Sequence, residues 1–70
     1  MEKSLGELIN ELRNEKDLTL KELADIAKVS YVEISHIEKG KHTPRPSTIR
    51  KLAIALDYSY SELYDISMKK

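Results

Sequence analysis

The apolar positions of this chain fall at helical spacing along most of its length. Leu5, Leu8, Ile9 and Leu12 follow the i, i+3, i+4, i+7 rule, as do Leu20, Leu23, Ala24 and Ala27, and again Ile49, Leu52, Ala53 and Leu56. No stretch alternates apolar and polar residues as a half-buried strand would. The helix starts are marked as well as the faces. Four Ser/Thr-x-x-Glu pairs, Ser4–Glu7, Thr19–Glu22, Ser30–Glu33 and Ser59–Glu62, fit the capping box. In that motif the hydroxyl accepts a free amide and the Glu reaches back to the cap. Three of them carry an apolar staple across the helix entry: Leu18 with Leu23, Val29 with Ile34, and Tyr58 with Leu63. The pattern predicts five helices, at roughly 5–15, 20–27, 31–39, 47–56 and 60–67. The longest break runs from Gly40 to Pro46. Gly40 suits the position just past a helix end, and the two prolines oppose continuation. The expected fold is all-α, one compact five-helix domain spanning residues 1–70.

Composition narrows the chemistry. At 70 residues the chain buries only about 60% of its unfolded surface, so its core is thin. Cys is absent, which removes disulfide scaffolds and thiolate–zinc sites. Two Gly and two Pro are too few for a turn-rich β sandwich. No apolar run has the length of a membrane span or of a signal-peptide core, and the expected location is cytoplasmic. The net charge is zero, yet it is unevenly spread. Between residues 39 and 56 lie Lys39, Lys41, Arg45, Arg50 and Lys51 with no Asp or Glu, and the remainder is net acidic. A neutral chain with one cationic segment can hold a polyanion on that face; the plainer alternative is a solvated loop and helix end.

Only Lys28, Val29 and Ser30 separate the second and third helices, and so tight a joint forces a steep crossing, the helix–turn–helix unit. The run Thr19-Leu-Lys-Glu-Leu-Ala24, then Val29-Ser30, then Ile34-Ser-His-Ile-Glu-Lys-Gly40, then Pro46 and Lys51-Leu-Ala-Ile-Ala-Leu56 resembles the Xre-type, phage-repressor-like DNA-binding domain. The resemblance covers about Leu5 to Tyr64. It implies a five-helix fold, double-stranded DNA as partner, and transcriptional repression by a dimer on a two-fold operator. The chain departs from the family pattern at Asp17 and Lys28, where Gly is common and a left-handed backbone is expected. It departs again at Leu20, where the family often has a DNA-supporting Gln. A Lys at positive φ costs roughly 1 kcal/mol.

At about 100° per residue, Ser30, Ile34, Ile37 and Glu38 project to one side of the third helix, and Val32, His36 and Lys39 to the other. Tyr31 and Ser35 lie on one flank and Glu33 on the opposite one. Val32 suits a thymine methyl and His36 a base edge, so the base-reading set is Val32, His36, Tyr31 and Ser35. Tyr31 is equally suited to packing on the core edge, and Glu33 suits capping better than reading. Lys39, Lys41, Thr43, Arg45 and Lys21 form the phosphate-binding set. The resemblance also implies a partly buried ion pair between Arg13 and Glu38. Near the C-terminus, Tyr58, Tyr60, Tyr64, Ile66 and Met68 serve either as a self-association surface or as a cap on an undersized core. The expected partner state is a weak homodimer that pairs on DNA. The rival reading is a protein-interaction module of the same fold, such as an antitoxin-like partner. Enzyme chemistry has little to stand on. His36 and His42 match no ligand spacing, and Ser35 points away from its neighbour His36, so no cofactor or metal is expected.

Overall fold

The structure is a computed structural model, and it describes residues 3–68. Five helices follow in order: α1 (Leu5–Glu15), α2 (Leu20–Ala27), α3 (Tyr31–Glu38), α4 (Pro46–Leu56) and α5 (Tyr60–Met68). Among the described residues no strand forms. Two boundaries differ from the sequence pattern for local reasons. Pro46 starts α4 instead of ending the loop, because proline's fixed φ and missing N–H suit the first helical turn. Lys39 caps α3 and is not within it.

Two of the four capping boxes are complete. The Ser4 hydroxyl accepts the Glu7 amide at 3.2 Å while the Glu7 carboxylate accepts the Ser4 amide at 2.9 Å. Thr19 and Glu22 repeat this at 3.1 and 2.8 Å. Ser30 and Ser59 make only the hydroxyl half, accepting from Glu33 and Glu62 at 3.0 and 3.3 Å. At the last of these, the Glu62 carboxylate pairs with the Tyr58 phenol, holding that phenol's pKa above its ordinary value.

The helix ends share one device. Asp17, Lys28 and Asp57 adopt left-handed φ values of 57°, 60° and 54°, and Gly40 one of 74°. After each, the next amide reaches back over the final turn: Leu18 to Arg13 O at 3.1 Å, Val29 to Ala24 O at 3.2 Å, Lys41 to His36 O and Tyr58 to Ala53 O at 2.9 Å. Leu18, Val29 and Tyr58 are also the apolar staples that enter the following helices. One side chain thus closes a helix and opens the next, and all three lie in or against the core. Lys41 alone faces solvent, so only the α3–α4 joint leads away from the core.

α1 packs on α3 and α5, α2 on α3 and α4, and α4 on α5. Ile9, Leu23, Ile34, Ile37, Ile49, Leu52, Leu56 and Leu63 are fully buried between them. Leu20 is half-buried against this core, so the apolar replacement at the start of α2 serves packing. Tyr58, Tyr60, Tyr64 and Ile66 also lie partly buried on the core, and Met68 is exposed. These four side chains pack against the core and keep part of their surface open to solvent. Gly6 sits where α1 crosses the end of α3. A Cβ there would overlap the Ile37 carbonyl oxygen and lie 2.8 Å from that of Glu38.

These features give opposite expectations for two small residues. Lys28→Gly relieves left-handed strain and stabilises the fold by about 1 kcal/mol, a rise of ~4–8 °C in Tm for a domain of this size. Gly6→Ala, a favourable change in an ordinary helix, overpacks the α1–α3 contact and destabilises by about 1–3 kcal/mol. Thermal and urea unfolding of the two variants check both signs.

Candidate nucleic-acid interface

Lys28, Val29 and Ser30 join α2 to α3. The left-handed Lys28 makes the turn, Val29 drops into the core, and Ser30 caps α3. Ser30 itself is exposed, unlike the inward position its helical angle suggests, because a cap lies outside the regular turn. Ile34 and Ile37 are 0% and 2% exposed. With that side buried, Val32, His36 and Lys39 necessarily face out, and all three are exposed. Val32 is 58% exposed. Tyr31 is also exposed and stands outside the core cluster, while Ser35 is half-buried on the flank.

Beyond α3, Lys41, His42 and Thr43 are exposed, Pro44 is buried and anchors the loop, and Arg45 is exposed. Arg45 occupies the N-cap of α4 but makes no side-chain cap bond, so its guanidinium is left free. Lys21 is exposed in the first turn of α2. The loop also brings His42 back to α3, its ring centroid 6.1 Å from that of His36, edge to face. Sequence spacing gave no sign of this approach, which depends on the turn at Gly40. Among the described residues, no three His, Cys, Asp or Glu side chains are grouped to hold a metal ion.

The orientation of α3 is set from behind. Arg13 Nε lies 2.8 Å from Glu38 Oε2, and its second terminal nitrogen donates to Oε1 at 3.2 Å. Asn10 also donates to Oε1 at 2.9 Å, and the remaining Arg13 nitrogen donates to the Leu18 carbonyl at 2.8 Å. The two charged side chains are only 13% and 9% exposed. The hydrogen bond to Glu38 strengthens Arg13's hold on its proton despite partial burial. This network joins α1, the α1–α2 turn and the last turn of α3. Asn10 and the Leu18 carbonyl carried no signal in the sequence: one looks like a polar helix residue, and the other is backbone.

Comparison with known proteins gives a concordant picture. The sequence profile of the family described as helix-turn-helix matches residues 9–63. The HTH-type transcriptional repressor RghR of Bacillus subtilis (strain 168) is 48% identical over 61 residues, covering 86% of this chain. That match takes up 45% of RghR, so the chain spans less than half of that relative's length. Among solved structures, the restriction-modification controller protein C.AhdI from Aeromonas hydrophila superposes with a TM-score of 0.79 at 32% identity, over 84% of this chain and 89% of that one. SinR, described as the master regulator for biofilm formation and solved in complex with DNA, gives 0.81 at 35% identity, over 87% and 98%.

Removing one partner of the clamp leaves the other charged and poorly solvated. Arg13→Ala is expected to destabilise the fold by about 3 kcal/mol. Urea unfolding of the variant checks the value; a change within error would show that Glu38 can find water without Arg13.

Proposed function

This chain belongs to the helix-turn-helix family, and from that premise we propose that it is a sequence-specific double-stranded DNA-binding transcriptional regulator, a repressor acting in the cytoplasm. One observation carries the reading: α3 exposes Val32 and His36 on the side opposite two fully buried isoleucines. A rigid helix with an outward apolar group and an outward hydrogen-bonding ring is suited to the major groove, where the thymine methyl and base edges lie. The cations around it complete the fit. Lys39, Lys41 and Arg45 leave the end of α3 with no acid among them, and Thr43 adds a hydroxyl. Lys21 begins the preceding helix. Such groups hold phosphates and set the register of the reader without reading sequence. RghR's designation as a repressor and the DNA in the SinR structure support the same assignment. Two protomers bind a palindromic operator, with their recognition helices about one DNA turn, ~34 Å, apart.

The two contact classes separate experimentally. Val32→Ala and His36→Ala each weaken the preferred site by roughly 1–3 kcal/mol and leave non-specific binding little changed. Lys41→Ala and Arg45→Ala weaken all sequences alike, each lowering the salt slope by about one. The site is first selected from random duplexes; anisotropy titrations on selected and scrambled DNA at several salt concentrations then give both quantities. An unchanged specificity ratio in the Val32 and His36 variants would remove α3 as the reader. No salt-sensitive duplex binding, together with a stable protein complex, would favour the protein-interaction module instead.

A further inference from the structure

The backbone of α3 fixes where the His36 side chain leaves the helix but not where its ring points. Two side-chain torsions lie between the imidazole and the helix, and His36 is exposed. A hydrogen bond to a base edge weakens steeply as its angle closes, so rotation of the ring decides whether a nitrogen meets its partner. The positions one helical turn away offer little to hold it: Val32 is itself exposed, and Gly40, just past the helix end, has no side chain. The restraint comes from the loop. The left-handed Gly40, at φ 74°, sends the chain back, and the Lys41 amide donates to the carbonyl of His36 itself at 2.9 Å. The buried Pro44 holds the loop from its other side. Between these two anchors lies His42, its ring centroid 6.1 Å from that of His36 and its plane at 88° to it. That distance and angle belong to an edge-to-face aromatic pair.

We propose that His42 is a positioning residue for base recognition: it does not read DNA itself but holds the His36 ring in the orientation that does. The inference deepens the function proposed above and rests on it. A side chain that must be immobilised on binding lowers affinity for the correct site, and a ring already held avoids much of that loss. A held ring is also less able to turn and find a hydrogen bond on the wrong base pair, so the restraint acts on discrimination as well as on affinity. The loop thereby has two tasks. Lys41, Thr43 and Arg45 face outward for the phosphates, and His42 turns back onto α3. The chain ties the second task to the reader directly, since the loop is bonded to the carbonyl of the residue whose ring it restrains.

Two measurements at about pH 8, above the ordinary histidine range, test this. The first needs no DNA. In the isotope-labelled free chain, three-bond couplings to Cγ of His36 report whether its side chain keeps one rotamer. One rotamer is expected in wild type and in His42→Phe, which keeps an aromatic ring, and averaging is expected in His42→Ala. The second compares the selected duplex with one altered at the base pair whose preference His36→Ala relaxes. His42→Ala is expected to lower the ratio of the two affinities by about threefold to tenfold, with the salt slope unchanged. His42→Phe keeps the ratio within about twofold of wild type, although its ring has no nitrogen to offer DNA. In a His36→Ala background, His42→Ala has no further effect on the ratio, whereas two independent contacts would add. Amide spectra confirm that each variant is folded. The inference is overturned if the His36 side chain averages among rotamers in wild type, or if the two histidine substitutions act additively. It is equally overturned if His42→Phe fails as His42→Ala does, which would make His42 a DNA contact in its own right. A held His36 ring in a chain that binds no duplex, or whose site preference His36→Ala leaves intact, would leave the ring contact in place and overturn the base-reading function, and with it the role.

Discussion

The clamp on the last turn of α3 is the interaction on which the interface depends. Glu38 is nearly buried and accepts from Arg13 twice and from Asn10 once. Gly6 lets the α1 backbone lie against the carbonyl ends of the same turn. Two short helices joined by three residues have little rigidity of their own. Fixing the far end of α3 against α1 prevents rotation about its axis, and Ile34 and Ile37 fix the rest. An eight-residue helix held in this way presents Val32 and His36 at constant angles. The clamp brings specificity of orientation more than net stability, since a buried ion pair gains little over apolar packing but is costly to break.

The same economy of parts runs through the connections. Four left-handed residues end four helices, and at three of them the next side chain is shared between the exit of one helix and the entry of the following one. A small core gains from this, because each turn buries apolar area that a longer loop would leave in water. The exception follows α3. There Gly40 turns the chain outward, Lys41 replaces the apolar residue, and the loop runs over the surface with Lys41, Thr43 and Arg45 exposed. Between Gly40 and Arg45 this joint buries only Pro44, and it places cations beside the outer face of α3.

Much of the fold is legible in the sequence because its signals are local. Capping pairs, staples and apolar periodicity each involve residues within one or two helical turns, and they locate all five helices. The outer face of α3 follows from angle alone. Less visible are features that depend on distant segments meeting. Asn10 gives no hint that it supports Glu38, since the two are 28 residues apart. Gly6 reads as a poor helix residue until α3 lies across it. The approach of His42 to His36 depends on the Gly40 turn. The incomplete boxes at Ser30 and Ser59 show the converse: the local motif is present, and only its hydroxyl half forms. Ile54 lies between the buried Ala53 and the half-buried Ala55, outside the periodic apolar set of its helix, and it is exposed.

The central claim is that a clamped α3 and its trailing loop form the surface that meets DNA. Amide chemical-shift mapping of the isotope-labelled chain against a selected duplex tests it most directly. The account predicts that the largest changes fall on α3 from Tyr31 to Lys39 and on the loop from Lys41 to Arg45, with a further group near Lys21. The acidic outer face of α1, carrying Glu7, Glu11 and Glu15, should be silent. Changes centred on α1, or spread evenly over all five helices, would contradict it.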